Sequence, residues 1–136
     1  MGDTENLVVV HYLGGKLAKG VVPDFNQNRD TFHLITSRDQ FEGTLVDLEQ
    51  LKAVFFVKSL EGNSAYQDPV FAEEDIKRLT GMKLKILFKD GEMIYATTQG
   101  YSQARKGFFV CPLDRACNNE RLFVNSTATV SVEIIR

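Results

Sequence analysis

Nothing in this 136-residue chain is abundant enough to type it at sight, and its shortages exclude several classes. No apolar run approaches the ~18 residues that a membrane-crossing helix needs. The first twelve residues, MGDTENLVVVHY, are acidic ahead of a short apolar stretch, the reverse of a secretory leader. Gly2 follows Met1, but Asn6 stands where the myristoylation pattern wants Ser or Thr. Neither sign of charge dominates: the net charge is −2, so no sequence-wide field draws the chain toward nucleic acid or anionic lipid. The two cysteines, Cys111 and Cys117, give no disulfide framework and suit a reducing compartment. A cytoplasmic protein without a membrane partner is the expectation.

Catalytic signatures are missing as well. There is no phosphate-cradling G-x-x-x-x-G-K-[ST] or G-x-G-x-x-G loop and no G-x-S-x-G elbow. Only two histidines, His11 and His33, are present for acid–base work. Strand alternation points His33 away from Phe32 and Leu34, as a rim imidazole. Cys111 and Cys117 are six apart with no second Cys or His pair beside them, a spacing unlike that of a zinc knuckle. The expectation is no catalytic residue, no metal and no cofactor.

What is present is an echo. Moving the second half back by 76 positions, from Gly91 to Gly15, sets Leu84, Ile86 and Phe88 on Val8, Val10 and Tyr12. The same shift sets Met93 on Leu17, Tyr101 on Phe25, Arg105 on Arg29 and Phe108 on Phe32. The period is that of strands: Leu84, Ile86 and Phe88 alternate with lysines at 83, 85 and 89, interrupted only by Leu87. Asp90-Gly91 then marks a tight hairpin, and Gly14-Gly15 takes the same place in the first segment. Return strands, a polar loop and a third strand (Phe32 to Thr36, Phe108 to Cys111) follow in each segment. After an irregular stretch, strand-like residues recur at Leu51 to Val57 in the first segment. In the second they recur at Leu122 to Val124 and Thr129 to Ile135, where β-branched residues favour the pleat.

Between the segments, Gly62, Asn63, Ser64 and Pro69 mark a linker. Asp68-Pro69 begins a short helix with acidic residues in its first turn, basic residues in its last, and Gly81 as its stop. The expected fold is mainly β: internally duplicated small SH3-like or Sm-like β-barrels packed into one body, with one short connecting helix. The first barrel repeat takes residues 7–60, the linker with its helix 61–81, and the second repeat 82–136. Units this small are marginal alone, so they should share a body.

The motifs FKDGE (Phe88 to Glu92), GFF (Gly107 to Phe109), P-x-D (Pro112 to Asp114), NN-x-R (Asn118 to Arg121) and Phe123-Val124 resemble a family of uncharacterised bacterial proteins. LKAVFFVKSLEGN, Leu51 to Asn63, adds to that likeness. The resemblance covers most of the chain, implies a cytoplasmic bacterial context, and carries over no catalytic residue. VVVHYLGGKLAKGVVPDF resembles the first motif of Sm-like proteins through Gly15, Gly20 and Asp24, although Ala96 and Gly100 replace the later two in the second segment. The PilZ pattern for cyclic dinucleotides has no place here, because Arg115 and Arg121 are wrongly spaced for it.

The binding candidates are polar loop residues: Arg29, Arg105, Lys106, Arg115, Asn118, Asn119 and Arg121. Guanidinium groups hold carboxylate or phosphate by paired hydrogen bonds, and Tyr101, Phe108 and Phe109 stand nearby for stacking. The competing structural roles are pairing of Arg105 with Asp114, and a turn at Asn118-Asn119. The functional expectation is a non-enzymatic interaction or ligand-binding module in bacterial regulation or signalling. Its partner would be another protein or a small anionic ligand, and the alternative is a single-stranded RNA binder of Sm-like type. An edge strand such as TVSVEIIR is open to pairing across a homodimer.

Overall fold

The computed structural model describes residues 6–26, 29–36, 43–60, 73–79, 81–100, 106–113 and 118–135. Among these residues ten strands and one short helix follow in order. They are β1 (Asn6–Tyr12), β2 (Leu17–Val22), β3 (Thr31–Leu34), β4 (Thr44–Asp47), β5 (Leu51–Val57), α1 (Glu73–Lys77), β6 (Met82–Phe88), β7 (Met93–Thr98), β8 (Gly107–Pro112), β9 (Asn119–Asn125) and β10 (Thr129–Ile135). Eight strands form one antiparallel sheet in the order β10-β6-β7-β8-β9-β5-β1-β2, and β3 and β4 form a separate hairpin. A bridge between Val21 and Ile35 ties that hairpin to β2.

The two glycine turns have one geometry. In the first, the Tyr12 amide donates to the Lys16 carbonyl at 2.9 Å and Gly15 returns to Tyr12 at 3.0 Å. In the second, Phe88 donates to Glu92 at 2.8 Å and Gly91 to Phe88 at 3.0 Å. Gly15 has φ 96° and Gly91 φ 94°, a left-handed backbone that a Cβ would strain. Later connections match too. One-turn 3-10 helices, Leu48–Gln50 and Ser126–Ala128, precede β5 and β10, capped by the side chains of Asp47 and Asn125. β5 then pairs back with β1, skipping a residue at Lys52, and β10 pairs back with β6, skipping Val130.

The sequence expectation is corrected in three places. The strands do not close into barrels: among the described residues the large sheet is open, ending at β10 and β2. The strand that precedes β5 is β4, hidden in sequence because four residues, TLVD, bury only Val46 fully. Leu122 to Val124 and Thr129 to Ile135, grouped together in the sequence reading, belong to two successive strands, β9 and β10. The helix is α1, five residues long; Gly81 follows it at φ 90°, and the Asp68-Pro69 start lies outside the described residues. So short a helix is held by its contacts: Ile76 is fully buried, and buried Lys83 donates to the carbonyls of Lys77 (3.3 Å) and Leu79 (2.7 Å).

Two apolar clusters meet at the β5·β9 pairing. One gathers Val8, Val10, Phe32, Leu34, Val54 and Phe56; the other gathers Leu84, Ile86, Phe88, Phe108, Val110, Leu122 and Val124. Strand alternation sends Phe123 of β9 into the first cluster while Leu122 and Val124 on either side stay in the second. Phe55 of β5 makes the reciprocal crossing and packs against the second cluster. The halves are therefore laced by side chains as well as by backbone. Among the described residues no helix is long and apolar enough to cross a membrane.

Gly20, the second glycine of the Sm-like stretch, has a steric reason. A Cβ there would lie 2.4 Å from the Ile35 carbonyl oxygen. The backbone of residue 35 passes that close because Val21 and Ile35 exchange hydrogen bonds of 2.9 Å in both directions.

Candidate functional site

The β5·β9 register sets Phe56 opposite Arg121 and Val54 opposite Phe123, all on one face, and β8 adds Phe109 opposite Phe123. Phe25, from the loop after β2, reaches over them edge-on, 5.2 Å from Phe56 and Phe123, 5.4 Å from Phe32 and 5.9 Å from Phe109. The result is a packed group of phenylalanines with edge-to-face geometry. Arg121 ends it. Its guanidinium carbon lies 4.5 Å from the Phe56 ring centroid and 4.7 Å from that of Phe109. Both are cation–π distances. Arg121 is exposed, and among the described residues no hydrogen bond or ion pair engages its guanidinium. The group is held in place by rings, and among the described residues its five donors are unengaged.

The other sequence candidates do not converge on it. Lys106 pairs with Asp30 at 3.1 Å, which brings it to the loop that carries Arg29. That rim is at the far end of β9, where Gly107 stands opposite Asn125. Asn118 sits at the near end and is structural: its side chain accepts from the Ser59 amide at 3.1 Å and donates to the Ser59 carbonyl at 2.9 Å. Asn119 pairs with Val57 in the ladder. Arg105 and Arg115 lie outside the described residues, as do Tyr101, Asp114 and Cys117. The structure thus places Arg29 with Lys106 at one end, and Asn118, Asn119 and Arg121 toward the other.

Three groups escaped the sequence reading. His33 is not a solitary rim imidazole: its Nδ1 is 2.7 Å from an Asp24 carboxylate oxygen, and its amide donates to the other at 2.9 Å. Burial pushes the Asp24 carboxyl up, but the hydrogen bonds from His33 outweigh it and hold the group below its ordinary range. The Asp24 position in the Sm-like stretch was the available signal. Lys52, the residue skipped in β5, is buried over the Phe88 ring and binds Asp90 at 2.8 Å and also Glu92. A first-half strand is thereby fastened to the second-half turn. Burial alone would lower the Lys52 pKa, but the hydrogen bonds its ammonium donates to Asp90 and Glu92 outweigh it and raise the value. His11 stacks on Phe55 at 4.0 Å, and burial, helped by the charge of Lys52, depresses its pKa. Among the described residues no three His, Cys, Asp or Glu side chains gather as a metal site would require.

Residues 4–136 match a family model whose description is "Family of unknown function (DUF6982)". No curated protein and no solved structure matches the chain.

Proposed function

Since this chain belongs to the DUF6982 family of unknown function, its own residues must carry the reading, and we propose that it is a non-enzymatic binding module for an anionic group. The observation that carries this is Arg121: a guanidinium positioned over two rings and left without a carboxylate among the described residues. Stacking fixes the group before any ligand arrives, so less side-chain entropy is lost on binding a carboxylate or phosphate in the paired geometry that arginine favours. The partner class is a protein bearing such a group, or a small anion, in the bacterial cytoplasm.

The same proposal extends to architecture: two similar strand units derived by internal duplication. Its support is the match of hydrogen bonds between residues distant in sequence. The Leu13 amide donates to Gln50 at 3.0 Å and Lys89 donates to Ala128 at 2.9 Å. Leu48 donates to Asp30 at 2.8 Å and Ser126 to Lys106 at 2.9 Å. Unrelated segments have no reason to repeat such pairs at a near-constant offset.

The test is a titration of the isotope-labelled chain with inorganic phosphate and with acetate, reading the Arg121 side-chain Nε–H resonance. Saturable movement of that resonance supports the reading when Arg121→Lys also weakens the anion-induced shifts of the β9 backbone amides, because lysine keeps the charge but loses the planar fork. An Arg121 resonance unmoved by either anion overturns it. Retarded migration of single-stranded RNA, weakening steeply with salt, would move the function to the RNA class instead.

A further inference from the structure

We infer that β10 is the dimerisation strand of this protein, pairing antiparallel with β10 of a second copy about a twofold axis at Val132. The starting point is the difference between β10 and its counterpart β5. β5 is paired on both sides, with β1 and with β9, and five of its apolar residues are buried. Among the described residues β10 is paired only with β6, and Val130 and Ile134 are 63% and 43% exposed. Val132 reaches the second apolar cluster but leaves it open at this edge. β10 is seven residues long, lacks proline and lysine, and so carries few of the features that keep an edge strand solitary.

The occupant follows from chemistry. One candidate is β4 of another copy, since β9 holds the equivalent place beside β5. Two residues oppose it. Where Asn125 donates to the carbonyls of Leu48 and Leu51, β4 ends in Asp47, whose carboxylate would face carbonyls with no proton to give. Where Phe55 crosses into the neighbouring cluster, β10 carries Glu133. A second β10 meets neither objection. A register centred on Val132 sets Val132 against its twin and Val130 against Ile134. It also sets Ser131 against Glu133, so no like charges stand opposite one another. The apolar residues Val130, Val132 and Ile134 are symmetric about that centre, as an isologous contact demands, with Ile135 opposite Thr129. Both open clusters are then closed by one contact, and two eight-stranded sheets become one continuous sheet.

The experiment is sedimentation of the full chain over a concentration series, with variants at exposed Ser131. The expected result is reversible monomer–dimer exchange between 15.3 kDa and twice that mass. Ser131→Glu sets like charges opposite at two symmetric places and should weaken the dimer about fivefold; Ser131→Lys, facing Glu133, should strengthen it about fivefold. Urea midpoints of both variants at dilutions where only monomer is present check that folding is intact. A single monomeric species throughout overturns the inference. So does a mass rising beyond two chains, an equal response to both Ser131 variants, or loss of the dimer on Leu45→Lys in β4.

Discussion

β4 and β9 hold the same place in the connectivity of their halves and do opposite things. β9 is seven residues long and puts Phe123 into the core of the other half, leaving it 4% exposed; β4 is four residues long and leaves Leu45 61% exposed. The same contrast separates their final residues. Asn125 is buried, donates to the carbonyls of Leu48 and Leu51 at 3.0 and 2.8 Å, and accepts from the Thr127 amide and hydroxyl. Asp47 caps its own 3-10 turn through the Glu49 amide. An amide both donates and accepts, so it can bridge two backbones; a carboxylate accepts only, so it serves one. One unit is built to join, and the other is built to stop.

The largest test of that contrast is Phe123→Ala, expected to lose about 3–5 kcal/mol in urea unfolding, because a buried ring leaves a cavity between two aromatic layers. Leu45→Ala should change stability by less than about 0.5 kcal/mol, as an exposed side chain does. Equal losses would break the comparison. Next comes Asn125→Ala, expected to cost about 3 kcal/mol by stranding two carbonyls, against about 1 kcal/mol for Asp47→Ala as a lost cap. The smallest effect concerns β5, the strand both halves share. The folded chain holds His11 neutral below 6.5, whereas the unfolded chain takes up a proton there, so stability should fall as pH drops below that value. His11→Phe keeps the stack on Phe55 and should flatten this dependence. A slope unchanged in the variant would assign the effect elsewhere.

Much of the strand plan was legible before any coordinates. Asp90-Gly91 and Gly14-Gly15 are local signals, and the alternation of Leu84, Ile86 and Phe88 reports one buried face directly. β5 was legible as LKAVFFV for the opposite reason: residues needed on both faces make AVFFV a continuous apolar run, with Lys52 the one polar position. β4 was not, because TLVD carries one core residue and its pairing with β3 is set from across a loop. The candidate site was half legible. Arg121 was singled out for its charge, but its ring platform comes from β5 and β8, 65 and 12 residues away at Phe56 and Phe109. Asn118 was named as a turn residue with binding potential, and the structure spends its amide on Ser59.

Sequence alone determined that this chain is mostly strand, where its two glycine hairpins turn, and which residues alternate toward a core. Those properties depend on neighbours within a few positions, through backbone sterics and the two-residue period of the pleat. Tertiary structure alone decided that the sheet stays open among the described residues, that β9 rather than β4 joins the halves, and that Asn125, Lys52 and Asp24 have partners. Each of those rests on a hydrogen bond or a side-chain crossing between residues far apart in sequence, and no local pattern encodes which distant group will be there to complete it.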